Sequence, residues 1–346
     1  MLKKKFFNWL ILSSITLGLI VGLITLVELY CSYSYYKYRD SLKNELKAIR
    51  LRQPFCNQVS DNFNTDSLGF ILPYTSLDSS SKTVVFLGGS TTECLRVQED
   101  NRIHVKVEEQ LTKVSCLNIG NSGNHSMHSL NLLTNKVLSL SPDVLVINHN
   151  VNDLSILLNT GTYFNKHPQR SLLLDNTEQL YAYKVGYPKN WFVRKYIPYI
   201  SLVLFPTTFE GEDLIKNQEF STGPLRADLN IDSLKNIFRK SLLGLVNYAK
   251  YWDVKPILMT QGSCFEEYGY DLKNIERYDG YNLDSLHKEF NKVVRDVAII
   301  SNVSLVDAEK LMEDKKEYFY DVVHYTDSGS IFISNYIASE IKGVLN

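Results

Sequence analysis

The sequence lacks an excess of either charge: 37 Lys and Arg stand against 38 Asp and Glu, a net charge of -1. A nucleic-acid binder needs a basic face, because neutralising phosphates supplies most of that affinity, so nucleic acid is excluded as a partner. Cysteine is scarce and unpatterned. Cys31, Cys56, Cys94, Cys116 and Cys264 follow no CxxC or Cys/His ligand spacing, and their odd number leaves any disulfide framework incomplete. They read as small buried apolar residues or free thiols, and neither a metal site nor a cofactor is implied. Internal repeats and low-complexity tracts are missing too. The 346 residues with ordinary apolar content permit one to three domains.

Charge is also nearly missing from one long run near the N-terminus, with Glu28 its one charged residue. From Phe6 to Tyr30 the chain is almost continuously apolar, enough to cross the roughly 30 Å hydrocarbon core as a helix. Before Cys31 there is neither an A-x-A site nor a small residue, which argues against cleavage or lipidation there. Lys3, Lys4 and Lys5 precede the run, while Lys37, Arg39, Lys43, Lys47 and Arg50 follow it, so charge counting leaves the orientation open. The large C-terminal part is expected outside the cytoplasm, because a five-residue tail is easily retained and long domains cross largely regardless of charge. Gly18 and Gly22 form a GxxxG that would let two such helices pack; the alternative is two glycines by chance. Tyr30, Tyr33, Tyr35, Tyr36 and Tyr38 suit a membrane interface, and residues 39–52 carry Leu42, Leu46, Ile49 and Leu51 at mostly helical spacing, a stalk broken by Pro54. The expected organisation is a tail and anchor over residues 1–30, a stalk or linker over 31–60, and a main domain over 61–346.

Within the main domain, short apolar runs alternate with helical patterns. Strands are predicted at 83–87, 115–118, 143–148, 256–260 and 303–307, each apolar enough to be buried on both faces of a parallel sheet. Helices are predicted from Ile103 to about Leu111 and over 126–140, 232–251, 283–300 and 326–344, giving an α/β sheet with helices on both faces. Residues 154–222 break the rhythm. They are rich in aromatics, among them Tyr163, Tyr181, Trp191, Tyr199 and Phe209, and too long for a structureless loop, so a partly helical insertion beside the site is expected. Whether its aromatics select substrate or merely pack on the core stays open.

Four short segments carry chemistry, in the chain order expected if each follows a strand. Ser90 comes after Gly88 and Gly89, where the backbone can turn sharply and leave a hydroxyl uncrowded. Thr92 stands where a G-x-S-x-G nucleophile elbow needs its second glycine, so this is not that motif. Gly120 and Gly123 follow the second strand and Asn152 the third; a glycine N–H and a carboxamide are both oxyanion donors, the alternatives being a turn glycine and a loop cap. His324 supplies the base a serine hydroxyl needs, and Asp321, three residues earlier, can bind the far ring nitrogen and fix its tautomer. The helix after His324 should be capped by Thr326 or Asp327. His125, His128 and His149 lie near the second and third segments and suit supporting or surface roles better than substrate contact.

Together these segments resemble the SGNH/GDSL hydrolase family: Gly88-Gly89-Ser90 is similar to its block I, Gly123 to block II, Asn152 to block III, and Asp321-x-x-His324 to block V. The resemblance runs from about Asn64 to the C-terminus. It implies a flavodoxin-like three-layer α/β/α sandwich with a five-stranded parallel sheet, to which the apolar run, outside the resemblance, adds the expected N-terminal transmembrane helix. It implies Ser90 as nucleophile, His324 as base, Asp321 as its partner, and Ser90 N–H, Gly123 N–H and Asn152 as the oxyanion hole. The chain departs from the family at Gly89, where an Asp is usual, and at Asn150, where G-x-N-D begins. The expectation is a single-pass, membrane-anchored serine esterase acting on O-acyl esters, O-acetyl among them, through an acyl-serine. Its expected substrate is an acylated glycan or a lipid-like ester, with a membrane-protein partner also open. The rivals are an O-acyltransferase using the same triad on an extracytoplasmic glycan, and an inactive SGNH-fold binding or assembly subunit.

Overall fold

The computed structural model describes residues 2–45, 50–51, 54–60, 63–75, 81–165, 170–174, 196–197, 199–200, 230–268 and 282–346. The chain divides into two compact units, Met1–Arg50 with Leu173–Ser221, and Leu51–Leu172 with Thr222–Asn346.

The first unit is built on one long helix, α1 (Leu2–Glu45), whose segment Phe7–Ser34 is long and apolar enough to cross a membrane. Its large side chains point outward: Leu12, Leu17, Leu19, Leu23 and Leu26 are all more than 60% exposed. Thr16 and Thr25 return their hydroxyls to the carbonyls of Leu12 and Val21, so their polar groups are satisfied inside the helix. Glu28, the acid within the apolar run, accepts the backbone N–H groups of Tyr199 and Ile200, each at 2.8 Å. The helix runs on without a break from the span into the first half of the predicted stalk, as far as Glu45. The end of that stalk, residues 46–49 and 52–53, lies outside the described residues, as do Tyr181, Tyr183, Tyr187, Trp191, Phe192, Phe205 and Phe209 of the aromatic-rich stretch.

In the second unit, five strands form one wholly parallel sheet: β1 (Lys82–Gly88), β2 (Val114–Asn118), β3 (Val144–Asn148), β4 (Lys255–Met259) and β5 (Ser304–Val306), in the order β2-β1-β3-β4-β5. Alternate side chains divide the sheet between two cores, as the two-residue period of a strand requires. Val85, Leu87, Leu117, Leu145, Ile147 and Leu258 face α4 (Ser126–Asn135), α5 (Val151–Thr160), α6 (Ile231–Tyr251) and α7 (Leu283–Ser301). Val84, Phe86, Cys116, Val146, Ile257 and Met259 face α3 (Ile103–Glu108) and α8 (Asp327–Leu345). The result is the three-layer sandwich with the flavodoxin-like strand order.

Three of the long helices start where a side chain satisfies a free N–H group of the first turn. Asn230 caps α6 through Ser233 N–H, Asn282 caps α7 through Ser285 N–H, and Thr326 caps α8 through Gly329 N–H. Phe238 of α6 stacks on Phe290 of α7 with ring centroids 5.0 Å apart, both fully buried. Truncating either to Ala would cost about 3 to 5 kcal/mol by lost transfer and cavity formation. The predicted helix over 126–140 instead stops at Asn135 and resumes as a 3-10 turn over Val137–Leu140. Thr134 and Asn135 bond back to the carbonyls of Leu130 and Asn131, a competing use of helix acceptors that frays the end. Likewise α3 ends at Glu108, three residues before Leu111, although Leu111 still packs on the core.

The start of the aromatic-rich stretch belongs to this core. Residues 151–160 are α5, which buries Leu154, Ile156, Leu157 and Leu158, and Tyr163 lies beneath them with 2% of its surface exposed, while Phe164 is exposed.

Candidate active site

The strand order reverses between β1 and β3, which opens a crevice at the carboxyl ends of the strands. Ser90 follows β1, Gly123 lies in the loop after β2, Asn152 stands in the first turn of α5 after β3, and the Asp321–His324 loop precedes α8.

Ser90 Oγ lies 2.7 Å from His324 Nε2, and His324 Nδ1 lies 2.7 and 2.8 Å from the two oxygens of Asp321. An ionised carboxylate only accepts, so Nδ1 carries the proton and Nε2 is left to accept from the serine hydroxyl. Asp321 also takes the backbone N–H groups of Val323 at 3.1 Å and His324 at 2.9 Å. Burial works against its charge, but the hydrogen bond and charge of His324 and those two N–H groups outweigh it, holding the carboxyl below its ordinary range. The loop is closed on itself by the Tyr320 N–H, which donates to the His324 carbonyl, and is tied to the residues after β4 by Cys264 N–H donating to Val322. Tyr320 stacks flat on the imidazole, centroids 5.5 Å apart and planes 8° apart, and the Arg96 guanidinium lies over the tyrosine ring.

Gly89 precedes the serine for a reason of space. A Cβ on it would stand 2.3 Å from Asn152 Nδ2 and 3.1 Å from the Asn124 carbonyl oxygen. Asn152 donates one carboxamide hydrogen to that same carbonyl at 2.9 Å, and a carboxamide has a second N–H to offer. Gly123 has φ +78°, the left-handed region where glycine is unstrained. Its loop is fixed from both sides. Asn118, at the end of β2, accepts Gly120 N–H at 2.9 Å and donates to the Thr92 carbonyl at 2.6 Å, while Ser122 donates its hydroxyl to the buried Glu93 one turn beyond Ser90.

The three histidines near these segments are buried. His125 and His128 stack with centroids 3.7 Å apart and meet the carbonyls of Arg170 and Ser171; His149 meets Ser129 Oγ at 2.8 Å, and burial drives its basicity down to about 3. All five cysteines are free thiols, with Cys94 and Cys116 buried and Cys94 pushed up to about 11 by desolvation. Among the described residues no group of three or more His, Cys, Asp or Glu side chains is placed to hold a metal ion. A cavity of about 420 Å³ opens at the opposite end of the sheet, beside Lys82, Asp143, Trp252 and Lys255, and contains none of the candidate residues.

Sequence reading missed Thr91, Asn118 as a side chain, Glu93, Tyr320 and Gln261. Each is an ordinary polar residue next to a motif or at a strand end, and no spacing marks it out.

No protein-family model and no curated protein matches this chain. Among solved structures it is similar to a lipase/acylhydrolase from Enterococcus faecalis, at 17% identity over 76% of this chain and 96% of that one, with a TM-score of 0.45. It is similar to an acetyl xylan esterase at 16% identity over 74% and 98% of the two chains, TM-score 0.45, and to an acetylxylan esterase from Geobacillus stearothermophilus at 16% identity over 76% and 94%, TM-score 0.44.

Proposed function

We propose that this chain is a membrane-anchored serine esterase of the SGNH/GDSL type, cleaving O-acyl esters through an acyl-serine intermediate. The observation that carries the reading is the continuous Ser90–His324–Asp321 relay, its two links 2.7 Å long, which joins Ser90 to a histidine 234 positions later in the chain.

In the proposed reaction His324 Nε2 takes the Ser90 proton as Oγ attacks the carbonyl carbon, and Asp321 stabilises the imidazolium that forms. The carbonyl oxygen becomes an oxyanion, received by Ser90 N–H, Gly123 N–H and the second N–H of Asn152. Collapse breaks the ester C–O bond, and His324 returns its proton to the departing alcohol. Water then attacks the acyl-serine with His324 again as base, releasing the acid and restoring Ser90. The anchor is α1, with the catalytic unit outside the cytoplasm and an acylated glycan or lipid-like ester as substrate.

The test is turnover of nitrophenyl esters of graded chain length, with labelling by a fluorophosphonate probe. Labelling of the full chain that vanishes in Ser90→Ala supports the reading. A folded protein that neither labels nor hydrolyses any ester overturns it, and acyl product appearing only on an added acceptor sugar would mark a transferase instead.

A further inference from the structure

We propose that Gln261 is a positioning residue that holds the nucleophile, the oxyanion donor and the base loop in register, an inference that rests on the esterase reading above. Gln261 lies two residues past β4 and is 4% exposed. Its Oε1 accepts the N–H of Val151 at 2.9 Å, the residue before Asn152. Its Nε2 donates to Thr91 Oγ1 at 2.8 Å, the residue after Ser90. The Thr91 hydroxyl passes its own hydrogen to the carbonyl of Val323 at 3.4 Å, the residue before His324. One carboxamide therefore reaches all three segments.

The direction of these bonds is forced. A backbone N–H only donates, so the carboxamide atom facing Val151 is the oxygen and the atom facing Thr91 is the nitrogen. Thr91 then accepts from Gln261 and must donate elsewhere, which Val323 allows. His287 Nε2 lies 3.2 Å from the same Gln261 oxygen. Burial, with the nearby Lys288 charge, drives the ring's basicity down to about 3, so it is neutral and donates from Nε2.

Gln261 is itself clamped. Its N–H donates to Asn291 Oδ1 at 3.0 Å, and Asn291 Nδ2 donates back to the Gln261 carbonyl at 2.9 Å. Asn150 completes the clamp, donating to Asn291 Oδ1 at 2.8 Å and to the His287 carbonyl at 2.9 Å. Asn150 is the residue that stands where the family's G-x-N-D has its glycine, and a glycine has no side chain to make either bond. Thr91, Asn150, His287 and Asn291 are 0 to 4% exposed, so water does not compete and the network has one arrangement. A nucleophile, donor and base must share a geometry within about 1 Å, and a misplacement of that size costs roughly 100-fold.

The experiment uses the full chain in detergent, with kcat, KM and thermal midpoint measured on nitrophenyl acetate for wild type, Gln261→Met, Thr91→Val, Thr91→Ser and the Gln261→Met/Thr91→Val pair. Gln261→Met should lower kcat about 10- to 100-fold while KM stays within about twofold. Thr91→Val should lose kcat as well, Thr91→Ser should recover most of that loss by restoring the hydroxyl, and the double variant should lose little more than Gln261→Met alone, because both act through one chain of bonds. If Gln261→Met fails to fold, the Thr91 pair carries the test. A folded Gln261→Met or Thr91→Val with kcat within twofold of an active wild type overturns the positioning role alone, as does a loss that Thr91→Ser does not recover. A wild type inert on every ester and unlabelled by probe overturns the esterase reading, and this inference with it.

Discussion

Asn152 Nδ2 occupies the space in which a side chain on Gly89 would begin, 2.3 Å from the ideal Cβ position. The two residues are therefore matched: the carboxamide can lean over the serine turn because nothing projects from position 89.

Placing at position 89 the Asp of the G-D-S pattern that this segment resembles should harm this chain. In Gly89→Asp the atom nearest the new Cβ is the end of a side chain that can swing away, so the fold should survive while Asn152 leaves the site. The expected result is a kcat at least 10-fold lower with a thermal midpoint near that of wild type. An active Gly89→Asp would mean that Asn152 is not held where the oxyanion forms.

Asn152 itself separates a donor from a loop cap. Asn152→Ala should lower kcat roughly 100- to 1000-fold, about 2.7 to 4 kcal/mol, with little change in KM, since the bond strengthens only as the carbonyl oxygen gains charge. A loop cap would instead lose about 1 kcal/mol of stability with kcat nearly intact. Measuring both quantities on one preparation decides between them.

The strands were legible because both faces are buried, which leaves almost no polar residue in Val84–Leu87 or Val144–Ile147 to confuse the pattern. Ser90 and His324 stood out in the sequence only together with Gly123 and Asn152, because four segments, each weak alone, occur in the chain order expected after successive strands. Gln261 did not. Its importance comes from meeting Thr91 and Val151, residues 170 and 110 positions away, and a single glutamine after a strand looks like any loop residue. The strand order was expected from the resemblance alone, since apolar runs state burial and not neighbours.

Acid should destabilise the protein more steeply than its charge balance implies. Burial drives His104, His149 and His287 each down to about 3, helped at His104 by the Arg102 charge and at His287 by Lys288. Free histidine titrates near 6.5, so between about 6.5 and 3 the unfolded chain holds protons that the folded one refuses. Stability from this source is complete above 6.5 and falls as pH falls. Asp153 acts in the opposite sense: burial raises it to about 6 against hydrogen bonds from Ser126 and Tyr163. Its contribution is present below about 4 and lost as pH rises through 6, so near pH 5 it offsets about one of the three histidine protons. A net uptake of about two protons corresponds to roughly 3 kcal/mol per pH unit. Denaturant midpoints should stay level from pH 8 to about 7 and then fall with that slope between about pH 6 and 5, with His149→Asn lowering it by about one proton; a profile still flat at pH 5 would contradict the burial of neutral histidines.

The proposed anchor can be tested apart from the chemistry. Among the described residues the apolar side chains of Phe7–Ser34 point outward, and transfer of each large one from water to hydrocarbon is worth about 1.5 to 3 kcal/mol, so as a proposed anchor they should enter a lipid bilayer. Every candidate catalytic residue belongs to the other compact unit. The full chain should co-sediment with phosphatidylcholine vesicles and resist extraction by high salt, because hydrophobic burial is not screened as surface charge is. The chain from residue 53 onward should stay in the supernatant and turn over small soluble esters at close to the full-length kcat. A truncated chain that is folded yet inert would show that α1, or a membrane partner, completes the site; salt extraction of the full chain would show that α1 lies on the bilayer instead of crossing it.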